Sequence, residues 1–129
     1  MTILRRNDQQ VEVRYPGVTR RVLTGSDTGS NMLSVGDIVM QPGSKIPYHM
    51  HSNVEESMYV AEGELIMKLN GRSFGISSGD CVIALKGISH GLENVSHNPA
   101  RLITVFPNVS PEFELVNFSD FKNEIPEKN

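Results

Sequence analysis

Cysteine is almost missing from this chain: Cys81 is the only one in 129 residues. An intrachain disulfide is therefore impossible, and so is a zinc site built on several thiolates. Positive charge is also in short supply. Lys and Arg number 12 against 15 Asp and Glu, a formal net of −3, which argues against the basic stripe of a general nucleic-acid binder. Long apolar runs are lacking, the longest being four or five residues such as Cys81 to Leu85, far short of the ~20 of a membrane span. Near the start, Ile3-Leu4 gives way at once to Arg5-Arg6, whereas a secretory leader carries roughly 7–15 apolar residues. These absences lead us to expect a reduced, cytoplasmic protein with neither nucleic-acid nor membrane partners. Histidine is scarce as well, at 4 residues, and the positions of those few carry most of the functional reading.

Apolar residues make up 38% and charged residues 21%, the balance of a globular chain rather than a disordered one. The length suits one domain. Helical periodicity is nearly absent. Short β-branched runs separated by turn residues predict an all-β protein. We expect strands at Val11–Arg14, Thr19–Leu23, Met32–Gln41, Ile46–His51, Ser57–Ala61, Glu64–Leu69, Arg72–Ile76, Cys81–Leu85, Gly91–Val95, Arg101–Phe106 and Glu112–Val116. Asn70-Gly71 between two of them is the pair that a two-residue type I′ hairpin favours. Gly36 inside a strand predicts a bulge or tight bend. Ser110-Pro111-Glu112 predicts a single helical turn with proline at its first position. The charged tail from Ser119 to Asn129 is expected to be a short helix or a frayed end.

His49 and His51 lie two apart on a predicted strand, so both imidazoles point to one face. Alone, the pair fits either two ligands of one ion or two solvated side chains. Glu56 follows at the mouth of an apolar strand, as a ligand or a solvated edge charge. His90 falls in Lys86-Gly87-Ile88-Ser89-His90-Gly91, and His97 stands apart in a polar turn as a surface histidine. The first four fall within two glycine-bounded blocks. Gly43 is followed after five residues by His49-Met50-His51, after four more by Glu56, and after six more by Gly63. Glu55, one residue nearer the histidines, leaves seven residues before Gly63, and the resemblance given next selects Glu56. Further on, Gly79 is followed after five residues by Leu85-Lys86-Gly87, after two by His90, and after three by Asn94.

These two blocks resemble the two signature motifs of the cupin superfamily. One position departs: Leu85 stands where the family usually has proline, at a turn that binds no metal. From Gly43 to Asn94 the motifs span 52 residues, including Glu64 to Ser78 between them as a strand–turn–strand of 15. The resemblance implies a double-stranded β-helix, a jelly-roll barrel, occupying the chain as one domain over residues 1–129 with its core at about 30–108. It implies one divalent transition metal ion in the barrel, held by His49, His51, Glu56 and His90. Asn94 is expected to support its turn, and Gly43, Gly63, Gly79 and Gly87 to take positive φ.

Three neutral imidazoles and one carboxylate carry a charge of −1 and suit Fe, Mn, Ni, Co, Cu or Zn. Each imidazole should donate its other ring N–H to an acceptor. Four ligands on an octahedral ion leave two positions for water, O₂ or a bidentate substrate. If Glu56 faces inward, alternation turns Met58 and Val60 inward too, as core or as substrate-pocket wall, and Tyr59 outward. Lys68, Lys86 and Arg101 could meet an anionic substrate if any faces inward. The apolar strand Leu102–Phe106 should be covered on both faces, which predicts a homodimer. By resemblance, the leading functional expectation is a metal-dependent oxygenase, dioxygenase-like, acting on a small chelating organic substrate. The alternatives are a redox-neutral sugar or uronate isomerase, epimerase or lyase using the metal as a Lewis acid, and a non-catalytic small-molecule-binding barrel.

Overall fold

A computed structural model describes residues 2–119. The part of the expected tail from residue 120 onward lies outside the described residues. Eleven strands follow one another: β1 Val11–Tyr15, β2 Val18–Thr24, β3 Ser34–Met40, β4 Lys45–Met50, β5 Glu56–Glu62, β6 Glu64–Leu69, β7 Arg72–Ser77, β8 Cys81–Ala84, β9 His90–Glu93, β10 Ala100–Phe106 and β11 Glu114–Leu115. Two single 3-10 turns, Arg6–Asp8 and Ser26–Thr28, are the only helical elements among the described residues. None of them is long or apolar enough to cross a membrane. The chain is all-β, as the alternating runs predict.

The strands form two antiparallel sheets, a large one ordered β1-β2-β3-β10-β5-β8 and a smaller one ordered β11-β4-β9-β6-β7. Consecutive strands cross repeatedly from one sheet to the other, which is the jelly-roll winding of a double-stranded β-helix. The inner faces supply the core: Val18, Met40, Met58, Val60, Leu65, Met67, Ala84, Leu92, Ala100 and Leu102 are all buried. Alternation holds along β5, where Glu56, Met58 and Val60 are buried and Tyr59 is exposed. β10 runs mid-sheet between β3 and β5. Its inner face is buried at Leu102 and Thr104, and its outer face is half-buried at Ile103 and Val105.

Turn chemistry agrees with the sequence. Asn70 (φ 49°) and Gly71 (φ 78°) close the β6–β7 hairpin with both central residues at positive φ, as a type I′ turn requires. Gly63 needs glycine twice over: its φ is +85°, and a Cβ there would meet the Pro99 carbonyl at 2.8 Å. Leu85 occupies its turn exposed, with its carbonyl accepting from the Ile88 amide at 2.9 Å. Asn94 is buried and saturated. Its amide donates to the Met40 and Asn98 carbonyls, and its Oδ1 accepts from the Ser96 amide and hydroxyl.

Two local expectations are corrected. Gly36 makes no bulge; it pairs in register with Thr104, and the irregularity lies in the neighbouring strand between Val22 and Thr24. Glycine is required there by crowding, since a Cβ would stand 2.8 Å from Thr104 Oγ1. Ser110–Glu112 forms no helical turn; a bend at Ser110 leads through an irregular stretch into β11. The Glu112 amide donates to Asn53 Oδ1 and its carbonyl accepts from His51. Both groups are thus spent across the barrel end rather than within a helix.

Candidate metal centre

His49, His51, Glu56 and His90 are all buried, and one ligand atom from each lies within 4.8 Å of the others. Three come from the smaller sheet and one from the large sheet. His49 on β4 sits directly opposite His90 on β9. His51 follows one residue beyond β4, still on the same face. Glu56 opens β5, paired with Ala84. The β4–β9 ladder slips between Ile46 and His49, where Pro47 has no N–H to give.

The imidazoles are fixed by backbone carbonyls. His49 Nδ1 donates to Pro47 at 2.7 Å, His51 Nδ1 to Glu112 at 2.6 Å and His90 Nδ1 to Ile88 at 3.1 Å. A carbonyl only accepts, so Nδ1 carries the proton in each ring, and a neutral ring then presents a lone pair at Nε2. These Nε2 atoms point at another acceptor. His90 Nε2 is 2.8 Å and His51 Nε2 3.4 Å from Glu56 Oε1, and His51 Nε2 is buried with no hydrogen-bond partner. Lone pairs that converge in a buried site call for a positive charge among them, supplied by protons or by an ion. The donor set could bind a metal.

The electrostatics agree. Burial pushes His49 down to about 4, with neighbouring His90 adding to the effect, so its ring is neutral and ready to ligate. Burial opposes the charged form of Glu56, but the neighbouring His51 and His90 imidazoles outweigh it and hold the carboxyl below its usual range. Burial likewise pulls His51 down, and Glu56 with the Glu112 carbonyl more than reverses this.

The site lies at the wall of an inner chamber of about 90 Å³, lined by apolar residues including Met58, Ile46, Leu92 and Leu102. An outer bowl of about 570 Å³ shares His51, Arg14, Arg20, Thr104, Phe106 and Phe113 with it. Val60 is fully buried in the core and is not part of either lining. Phe113 stacks on His49 (4.6 Å between centroids, 25° between planes), and Phe106 meets His51 edge-on at 4.9 Å. The sequence reading did not find Phe106, Phe113 or the arginines. For Arg20 a signal existed, since it shares strand parity with buried Val18. For Phe113 none did, since its place depends on β11 pairing back onto β4.

The cations singled out in the sequence face elsewhere. Arg101 binds Asp37 on the outer face, Lys68 pairs with Glu93 at 2.9 Å and covers Phe118, and Lys86 is exposed. His97 is exposed, as expected.

A jelly-roll barrel with a buried three-histidine, one-carboxylate cluster at its inner wall defines a class, and comparison with known proteins assigns the family. The sequence profile described as "Cupin domain" matches residues 36–106, more than half of the chain, and the chain belongs to that family. It is 29% identical over 102 residues to the tetracenomycin polyketide synthase protein TcmJ of Streptomyces glaucescens, covering 79% of this chain and 68% of that one. It is 29% identical over 96 residues to the polyketide synthase CurC of Streptomyces cyaneus, covering 74% of this chain and 62% of that one. Among solved structures, the polyketide cyclase RemF from Streptomyces resistomycificus superposes with a TM-score of 0.80 at 26% identity, covering 92% of this chain and 87% of that one.

Proposed function

We propose that His49, His51, Glu56 and His90 hold one divalent transition metal ion, and that the protein is an enzyme acting on a small organic molecule that chelates it through two oxygens. The observation that carries this reading is the orientation of the rings. Three Nδ1 atoms are tied to carbonyls, so three Nε2 lone pairs and one carboxylate converge in a buried, partly apolar chamber. Such an ion, when bound, supplies Lewis-acid polarisation of a chelating carbonyl. Phe106 and Phe113 wall the site, and Met58, Leu92 and Leu102 shape the chamber behind it.

The relatives named as polyketide synthase proteins and the likeness to a polyketide cyclase favour a redox-neutral reaction on a 1,3-dicarbonyl substrate. Two measurements test this. Elemental analysis of the purified protein should find about one equivalent of a transition metal per chain, and its absence after growth in metal-replete medium would remove the reading. Acetylacetone should bind the metal-loaded protein and perturb its absorption spectrum, with no O₂ consumed. Stoichiometric O₂ uptake by Fe(II)-loaded protein with the same diketone would instead establish the oxygenase expected from the sequence.

A further inference from the structure

We propose that Arg20 is the anchor for a carboxylate carried by the substrate, which makes the substrate a 1,3-dicarbonyl acid; this rests on the chelation reading above. β2 places Val18, Arg20 and Val22 on its inner face, where Val18 is core and Arg20 pairs with Ile38 of β3 and Glu12 of β1. An arginine at an inward position is costly unless its donors are used. Arg20 Nη2 reaches Glu12 Oε2 at 3.2 Å, while its Nε is buried with no hydrogen-bond partner. Arg21 Nε is also without one, but Arg21 lies on the opposite face of the strand and lines neither cavity, whereas Arg20 lines both. The position, not the bare donor, marks Arg20.

Gly36 of β3 lies beside the arginine stem. Gly36 sits mid-strand, where glycine weakens a sheet. A Cβ there would lie 2.8 Å from Thr104 Oγ1 and 3.5 Å from Arg20 Cδ. The tight approach is to the threonine hydroxyl, while the arginine stem lies at ordinary contact distance beside it. In the inner chamber Arg20 and Arg14 are the cationic side chains, and the one carboxylate, Glu56, is engaged by histidines. A guanidinium fork with free donors in such a chamber matches a planar, two-oxygen anion. Glu12, 43% exposed at the rim, is the resident competitor that an incoming carboxylate would displace from Arg20.

Calorimetry on metal-replete protein tests this with three probes: acetylacetone, 4,6-dioxoheptanoate and its one-carbon-longer homologue 5,7-dioxooctanoate. At least one of the two acids should bind about tenfold or more tighter than acetylacetone, the scale of a charge-assisted, bidentate contact. Arg20→Met should bring the affinities together, with Arg20→Lys retaining part of the preference. Glu12→Gln should increase the preference a few-fold by removing the competitor. If Arg20→Met fails to fold, the wild-type preference and Arg20→Lys still decide. Acetylacetone binding with no preference for either acid, or a preference that survives Arg20→Met or is untouched by Arg20→Lys, overturns the inference and leaves the chelation reading standing. Failure of acetylacetone to bind metal-replete wild type overturns the chelation reading, and this inference falls with it.

Discussion

Two buried polar clusters lie on opposite faces of the large sheet, and they are built to opposite rules. On the outer face, Asp37 is fully buried in the middle of β3 and every acceptor it has is used. Arg101 donates to both carboxylate oxygens at 3.0 Å, and Arg6, from the N-terminal segment, donates to Oδ2 at 2.5 Å. On the inner side, His49, His51, Glu56 and His90 are as deeply buried, yet their acceptors face one another and His51 Nε2 has no partner. A saturated buried network fixes structure. A buried network with converging lone pairs is incomplete as protein alone and is completed by a cation. The number of charged groups does not separate the two clusters; the balance of donors and acceptors does.

The sharpest way to break the comparison is to remove one member from each cluster and read both metal content and stability. Glu56→Ala or His51→Ala should lower bound metal by about tenfold or more, the scale reported for lost ligand support. Metal content at the wild-type level in both variants would end the ligand assignment. Stripping the wild type with a chelator should lower Tm, because an ion present at 100 times its Kd adds about 2.7 kcal/mol to the folded state. The same chelator should leave the Glu56→Ala Tm unmoved.

Asp37→Ala should do the reverse. Removing one member of a buried ion pair costs about 3–5 kcal/mol. Here Arg6 and Arg101 can turn to water, since their side chains are already 37% and 31% exposed, so we expect about 2 kcal/mol in denaturant unfolding, the middle of the range for an unsatisfied buried partner. Metal content should stay at one equivalent. A large metal loss in Asp37→Ala would show that the two faces are coupled through β3.

The architecture was legible in short-range alternation, and the four-residue cluster in the resemblance of its two blocks to the cupin motifs, which alone joins His90 to the others. Alternation along β5 orients Glu56, Met58 and Val60 together, and the two-residue step orients His49 and His51. What was illegible depends on chain segments far apart. The carbonyl that orients His51 belongs to Glu112, 61 residues away. Asp37 reads as a solvated strand charge until Arg6, 31 residues earlier, closes over it. Arg20 lay between. Its parity with Val18 marks it as inward-facing, but the adjacent Arg21 gives the pair the look of a solvated face. Ser110–Glu112 has the composition of a helix start, and tertiary hydrogen bonds to Asn53 and His51 override it.

Acid separates the clusters more gently. Burial alone would raise the Asp37 carboxyl, but the hydrogen bonds and charges of Arg101 and Arg6 outweigh it, leaving the folded-state value below the ordinary 3.8. A group whose pKa is lower in the folded state stabilises the fold in its ionised form. Its contribution is complete above the unfolded value and is lost as pH falls through 3.8 toward the folded value. Metal-free wild type should therefore lose stability below about pH 4 more steeply than metal-free Asp37→Asn. Parallel acid-unfolding curves would mean that Asp37 contributes nothing through its charge.

The smallest effect asks how the outer cluster shares its work. Arg101 lies on β10, paired in the ladder with β3, and reaches both oxygens of Asp37 as a fork. Arg6 reaches one oxygen from a 3-10 turn at the end of the chain. With Arg6 gone, Asp37 keeps its bidentate partner, so the buried carboxylate stays compensated and the loss should be that of one half-exposed ion pair, up to about 1 kcal/mol. Arg6→Ala should thus unfold within about 1 kcal/mol of wild type, while hydrogen exchange quickens in residues 2–9, which lose their tether to the sheet. A cost equal to that of Asp37→Ala would mean that the N-terminal segment, rather than the Arg101 fork, is what keeps water from Asp37.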